Sequence, residues 1–369
     1  MLTNLLESVK PSGQLTMRLL TLDDRTQWDT LIQTLPTGCF MQSWAWADFK
    51  VLEGYQAFRY GLFAKKISAE NPLAEKNLAE QILVGGCFFY YYPCGYTANL
   101  LFAPGAPCLM PGFEQEGMTL LLEQASILAA KLGAIALRIE PLLAQKPTYL
   151  DRFVPAPVEL LPSETLLIDL QPQTAAILAA MKSKGRYNIR LSERYGVQTQ
   201  FTTDMQALPL FYNLFWETVK RQHFFGEPYR FFINLCQTLF AAQMAEIGLA
   251  TWRGEVLTAV LILYWGDRAT YLYGGRSTDH PHVMASYGLH WAAMQRAKAR
   301  GCKHYDFYGY TCDPNHNYAK FSQFKRQFGG TSVTTIGAHD YFFYNQLADT
   351  LIGLLKRVKR EEERESFEF

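Results

Sequence analysis

Met181-Lys182-Ser183-Lys184-Gly185-Arg186-Tyr187-Asn188-Ile189-Arg190-Leu191-Ser192-Glu193-Arg194-Tyr195-Gly196-Val197 forms the centre of a run, Gln173 to Phe201, around which the rest of the chain can be ordered. Placed on a helix, Lys182, Arg186, Arg190 and Arg194 recur every fourth position and fall along one stripe. Like charges at that spacing cost roughly 0.2 to 0.5 kcal/mol per pair, and Glu193 is the only acid among them. Gly185 adds about 1 kcal/mol relative to alanine if the helix continues through it. A solvated basic face is the bland reading of such a stripe. The sharper reading is that a segment resisting its own fold meets an anionic partner. Gly196 stops the helix as a C-terminal cap, and Val197, Thr199 and Phe201 alternate as a strand.

Upstream, apolar spacing predicts a short helix from Asp23 to Leu35. A second helix carries Trp44, Ala47 and Lys50 behind Ser43 as N-cap. Phe58 to Lys65 and Ile82 to Tyr92 read as strands around a polar, Ala/Glu/Asn-rich surface loop. Glu116 to Leu132 is a helix ended by Gly133 and followed by the buried strand Ala134 to Glu140. The Pro-rich segment from Pro141 to Pro162 is the best linker candidate. Downstream, helices span about Leu208 to Arg221, Pro228 to Ala242 and Val283 to Arg300. Strands run from Ala245 to Arg253, Val256 to Trp265, Ala269 to Gly274 and Lys303 to Tyr308. Helix, Gly133, strand in the first half matches helix, Gly301, strand in the second, a weak internal echo of the kind a duplicated domain leaves. A short helix carries Phe321, Phe324, Lys325 and Phe328, and the tail from Tyr341 to Arg360 reads as helical.

At 369 residues the chain is too long for one typical core, and the length suggests two domains. The 35 lysines and arginines nearly balance 34 acids, so the surface as a whole does not attract nucleic acid and any such contact must be held by a local patch. Seven cysteines without a C-x-x-C pair suit a reducing cytoplasm. No eighteen apolar residues come consecutively, and the expectation is a soluble, cytoplasmic protein. The histidines at 280, 282, 304 and 316 with Cys302 and Cys312 fit no tetrahedral spacing, so no metal is expected. No nucleophile elbow, Cys/His pair or catalytic carboxylate pair stands out, so the sequence marks no covalent enzyme intermediate.

The pattern Met-Lys-x-Lys-x-Arg-Tyr-Asn-Ile-Arg at 181–190, closed by Gly196-Val197, resembles the signature of the FemABX aminoacyltransferases. Gln42-Ser43-Trp44-Ala45-Trp46-Ala47-Asp48-Phe49-Lys50 resembles that family's opening helix. Tyr271-Leu272-Tyr273-Gly274-Gly275, Tyr305-Asp306-Phe307-Tyr308-Gly309 and Phe324-Lys325-Arg326-Gln327-Phe328-Gly329-Gly330 follow in the family's order. The likeness runs over about residues 40 to 345. It implies an α/β fold of two tandem GNAT-like domains with mixed sheets: 1–160, 161–338, and a C-terminal helix at 339–369 packing back on the first. No long heptad insertion is visible, so the coiled-coil arm carried by many members is not expected. The implied chemistry is transfer of an amino acid from aminoacyl-tRNA to an amine on the stem peptide of a peptidoglycan precursor, UDP-MurNAc-peptide or lipid II, with no cofactor.

On that resemblance Lys325, in Phe-Lys-x-x-Phe, is the catalytic candidate, an ammonium placed to stabilise developing negative charge, with Phe324 beside it in the substrate site. Lys50 is the nearest match to a family lysine that contacts the precursor's diphosphate. Arg186 and Arg190 are assigned to the precursor's diphosphate, in one cleft shared with Lys325, because a guanidinium grips two oxygens at once, with Tyr187 and Tyr273 as their neighbours. Asp306 is read as a structural acceptor. The basic run Lys356, Arg357, Lys359, Arg360 reads first as a solvated face and second as a transient contact with the inner membrane face. Two rivals stand beside this reading. One is a CoA-dependent N-acyltransferase of the same fold, against which the run Arg326 to Thr331 lacks the Arg/Gln-x-x-Gly-x-Gly/Ala pattern at a helix start. The other is a non-catalytic protein that binds tRNA or cell-wall precursor.

Overall fold

A computed structural model describes residues 15–65, 81–94, 98–316 and 318–343. They form two compact units: the residues up to Ser163 together with those from Thr335 onward, and Glu164–Thr334.

In the first unit β1 (Thr16–Leu19), β2 (Gln56–Lys65), β3 (Gln81–Cys94), β4 (Ala98–Pro104) and β6 (Ala134–Glu140) lie side by side in that order, with β5 (Cys108–Leu109) on β3 and β7 (Val154–Pro155) at the far edge. Helices α1 (Arg25–Thr34), α2 (Trp44–Leu52) and α3 (Glu114–Leu132) complete it. The opening motif works as a clamp. Gln42 is fully buried, takes the Phe88 amide at 2.7 Å, gives its own amide hydrogens to the carbonyls of Phe88 and Pro104, and its backbone carbonyl accepts the Trp28 indole N–H. Ser43 then caps α2 by accepting the Trp46 amide at 3.1 Å.

The segment expected as a linker packs into this unit: Leu150 and Phe153 are buried, and Glu140 accepts the Leu160 and Leu161 amides at 2.7 Å. Burial pushes the Glu140 carboxyl up to about 7 even against those two amides.

The second unit orders its strands β14 (Thr331–Thr334), β8 (Glu164–Asp169), β13 (His304–Asp306), β12 (Arg268–Arg276), β11 (Glu255–Trp265), β10 (Ala245–Trp252) and β9 (Gln198–Thr202). It carries α4 (Thr174–Ala180), α5 (Ser183–Arg194), α6 (Leu208–Gln222), α7 (Tyr229–Ala241), α8 (Ala285–Ala299) and α9 (Ala319–Lys325). The echo in the sequence has a physical basis. Each sheet contains one parallel pair, β4 with β6 and β12 with β13, and a parallel pair needs a crossover, supplied by α3 in one unit and α8 in the other.

The chain re-enters the first unit as β15 (His339–Phe342), which inserts between β6 and β7. The helix expected from Tyr341 therefore begins as strand, because Tyr341 and Phe342 continue the β6 ladder opposite Leu137 and Ala136. Residues 344–369, with the basic run of the tail, lie outside the described residues. Among those described, the longest helix has 19 residues, and none is long and apolar enough to cross a membrane.

The cations of the basic run lie on one helix, α5, and its N-cap, and the short α4 before it carries none. Lys182 holds an extended backbone at the N-cap of α5, so the helical stripe starts one turn later than its spacing suggested. Gly185 is explained by close approach: a Cβ there would stand 2.2 Å from the Gln327 carbonyl oxygen. Gly185→Ala is expected to destabilise by about 1–3 kcal/mol through overpacking, outweighing the roughly 1 kcal/mol gained in helix propensity. Chemical denaturation checks this, and an unchanged midpoint would mean that the Gln327 turn simply moves aside.

Candidate functional site

The second unit's sheet opens where β12 and β13 part. The two strands pair only across Arg268–Thr270 and His304–Asp306, while β12 runs on to Arg276 with β11 alone beside it. Within that free stretch the β11 register steps from Ile262↔Tyr271 to Leu261↔Tyr273, leaving Leu272 as the extra residue of a bulge. Strand alternation would put Tyr271 and Tyr273 on one face. The bulge sends them to opposite faces.

Tyr273 packs among Phe215, Phe231 and Phe232, with ring centroids 5.9, 6.1 and 5.0 Å away, and burial raises its phenol pKa well above the ordinary value. Tyr273, the expected neighbour of the arginines, thus packs against α6 and α7 and is not among the residues lining the cavity that Tyr271 faces. Tyr271, which sequence reasoning passed over, turns edge-on to His290 at 4.6 Å and faces a cavity of about 400 Å³.

Thr258, Ser286, Tyr287, His290 and Phe324 join Tyr271 in that cavity's wall. His290 is 3% exposed, sits 3.0 Å from the Tyr305 hydroxyl through Nδ1, and has its pKa lowered to about 3 by burial and then by Lys325. It is therefore a neutral imidazole at physiological pH. Nothing in the sequence marked it except its place on the inward face of a helix, where a histidine ordinarily packs.

Lys325 occupies the gap between the parted strands. It is 7% exposed, its Nζ donates to the carbonyls of Tyr308 and Gly309 just beyond β13, and it stands 5.8 Å from the Tyr271 ring on the β12 side. Burial pulls its pKa down to about 7, with Asp306 opposing. The turn that receives it is unusual, since Tyr308 and Gly309 both have left-handed backbones (φ 46° and 51°). Asp306 fixes that turn by accepting the Tyr308 amide at 2.8 Å, and also accepts from Thr165 and Arg268. Its role in this arrangement is structural.

The helix start that meets the cavity is that of α8, where Met284, Ala285 and Ser286 contribute to the wall. The segment leading into it, Ser277 to Met284, contains no glycine. His280 and Met284 adopt left-handed backbones there despite their side chains. This, rather than Arg326 to Thr331, is the place at which a CoA pyrophosphate loop would have to lie.

The arginines stand elsewhere. Arg186 is half-buried and donates to the carbonyls of Ala179 and Met181, closing the break between α4 and α5. Arg190, Tyr187 and Arg194 are exposed and line a shallow groove with Ser183, Arg186 and Glu193. Neither Lys325 nor Phe324 lines that groove, and neither Arg186 nor Arg190 lines the cavity. The single cleft expected for Arg186, Arg190 and Lys325 is not found: the arginines line the groove, while Lys325 is buried beside the cavity and lines neither. The reason is that α5 turns its Gly185, Asn188, Ile189 and Ser192 face inward and its cations outward. Lys50 belongs to the first unit, half-buried in the last turn of α2, with its Nζ 4.0 Å above the Tyr55 ring. Among the described residues no group of three or more His, Cys, Asp or Glu is placed to hold a metal ion.

Two mixed α/β sheets, each with one parallel pair, define a protein of two GNAT-like domains. The acetyltransferase (GNAT) domain family matches residues 180–326, within the second unit. The crystal structure of FemX matches 91% of this chain and 99% of its own, with a TM-score of 0.76 at 18% identity. A tandem GNAT protein from the clavulanic acid biosynthesis pathway matches 90% and 99%, with a TM-score of 0.52 at 12% identity. In sequence, the lipid II:glycine glycyltransferase of Staphylococcus epidermidis is 28% identical over 120 residues, 32% of this chain and 28% of that one. The Staphylococcus haemolyticus enzyme is 30% identical over 108 residues, 29% and 25%. The chain spans about a quarter of the length of these curated relatives. It is a GNAT-fold protein similar in structure to FemX and, over that part of its sequence, to peptidoglycan aminoacyltransferases of the FemABX kind.

Proposed function

We propose that this protein is an aminoacyltransferase that moves an amino acid from aminoacyl-tRNA to an amine on the stem peptide of a peptidoglycan precursor, UDP-MurNAc-peptide or lipid II. The observation that carries the reading is a buried lysine in the gap between β12 and β13, next to a cavity whose helix start lacks a glycine-rich pyrophosphate loop. Converting an ester to an amide is downhill. The protein's work is to align the amine with the ester carbonyl and to stabilise the oxyanion of the tetrahedral intermediate. Lys325 is the group for that charge, because a buried ammonium acts in a low dielectric where it is worth far more than in water. Phe324 and Tyr271 shape the wall beside it. Lys50 remains the candidate of the first unit for the precursor's diphosphate. The similarity to lipid II:glycine glycyltransferases supports the choice of substrates.

The test is a product assay with charged tRNA and either UDP-MurNAc-pentapeptide or lipid II. A new amide on the stem peptide is expected, and binding of both substrates without product would reduce the protein to a binding module. The GNAT domain match keeps a CoA-dependent N-acyltransferase as the second reading. Acetyl-CoA that binds the folded state would raise the melting temperature, and such a rise would favour that alternative.

A further inference from the structure

The groove on α5 carries charge that the cavity does not use. Its lining holds three arginines and one acid, Glu193, on a chain whose net charge is only +1. Arg186 is already committed to the α4 carbonyls. Arg190 and Arg194 are not held in this way. They lie exposed one turn apart, with Arg194 5.7 Å from the ring of Tyr187, itself 57% exposed. Lys182 and Lys184 continue the exposed cations toward the N-terminal end.

We propose that this face of α5, centred on Arg190 and Arg194, is a rail for the phosphate backbone of the donor tRNA. The proposal rests on the aminoacyl-tRNA reading above. Four residues at a rise of 1.5 Å separate the two guanidiniums by about 6 Å along the axis. The two charges therefore follow one another along the helix, as neutralising a row of backbone phosphates requires.

Three features favour an extended backbone over the single diphosphate of a sugar nucleotide. The groove is shallow and open, whereas small-ligand sites are concave and enclosing. The cations extend along the helix instead of converging on a point. The exposed Tyr187 offers a ring against which a base or ribose can pack. A membrane surface fits less well, because a helix lying on lipid presents an apolar face, and the apolar face of α5 is turned into the core through Ile189.

The experiment compares wild type with the double variant Arg190→Gln/Arg194→Gln, with Lys131→Ala on the first unit as a control for loss of an exposed charge. Three probes are titrated: uncharged tRNA at several salt concentrations, UDP-MurNAc-pentapeptide, and phosphatidylglycerol vesicles. The expected result is a tRNA affinity at least tenfold weaker at low salt in the double variant. The slope of log K against log salt should shrink by about 1.4 to 1.8, or 0.7 to 0.9 for each phosphate that is no longer neutralised. Precursor affinity and vesicle binding should be unchanged, and Lys131→Ala should follow wild type throughout. Unaltered tRNA binding in the double variant overturns the proposal, as does a loss confined to the precursor or to vesicles.

Both arginines are exposed, so an unchanged melting temperature confirms that the variant is folded. The outcome also separates from that of the proposed function. If wild type transfers an amino acid from charged tRNA while the double variant binds tRNA normally, the rail fails and the activity stands. If wild type binds tRNA through the rail but makes no amide, the rail stands and the activity fails.

Discussion

Replacing Lys325 with methionine is expected to lower turnover by two to three orders of magnitude, the usual cost of removing one donor to a developing oxyanion, while precursor binding changes little. Methionine keeps the length of the side chain and removes its charge. The buried lysine is itself a burden on the fold. Its pKa falls from 10.5 unfolded to about 7 folded, so between those values the unfolded chain binds the extra proton and stability rises with pH. Below pH 7 the full cost of burying the ammonium is present, on the order of a few kcal/mol. Lys325→Met removes that cost but strands the Tyr308 and Gly309 carbonyls, each worth about 1–3 kcal/mol if left unsatisfied. The two effects oppose, and stability at neutral pH should stay close to wild type.

Two measurements follow. Unfolding at pH 7 and pH 10 should show stability rising in wild type and flatter in the variant. In the wild-type profile, kcat/KM reports the free enzyme, so it should fall on its alkaline side with an apparent pKa near 7 as the ammonium is lost. Activity still rising at pH 9, or a methionine variant with more than a tenth of wild-type turnover, would remove Lys325 from the chemistry.

What the sequence made legible was local. Ser43 and Gly133 mark helix ends by chemistry that acts within a turn, and both take those roles. The helix–glycine–strand echo was visible because each half contains its own complete crossover. The features that shape the cavity depend instead on partners far away in the chain. Whether Tyr271 or Tyr273 faces the cavity is decided by a bulge, and a bulge exists only relative to the register of β11. Gly185 looked like a defect in a helix because the Gln327 carbonyl it accommodates lies some 140 residues away. Arg186, Arg190 and Arg194 share one face of α5 while Lys182 falls outside the helix, and spacing alone does not say which way that face turns. Lys325 stood out only through its likeness to a family motif, and its burial depends on the parting of β12 and β13, which spacing along the chain does not show. His290 had no signal at all, since an inward histidine on a helix has the pattern of core.

β15 was the least legible element and carries the other large effect. Four residues of sequence, His339-Asp340-Tyr341-Phe342, close the first unit's sheet after the chain has passed through the whole of the second unit. The closure is ionic: Asp340 accepts two hydrogen bonds from Arg138, each 2.8 Å, with side chains only 2% and 8% exposed. A buried pair of this kind adds little over a well-packed apolar pair, but removing one partner is strongly destabilising, because the remaining charge loses two short hydrogen bonds inside the protein. Asp340→Ala is therefore expected to cost about 3–5 kcal/mol.

Because the chain has two units, a single melting midpoint mixes their transitions. Hydrogen exchange of the β6 and β15 amides is the sharper readout, and their protection should fall by about two to three orders of magnitude. A double variant, Arg138→Met/Asp340→Leu, removes both charges and should recover much of that loss, giving a strong coupling in the cycle. Two losses that merely added would show that the pair contributes through packing rather than charge. The strand would then be held by its ladder to β6 and β7, with the ion pair fixing only its register.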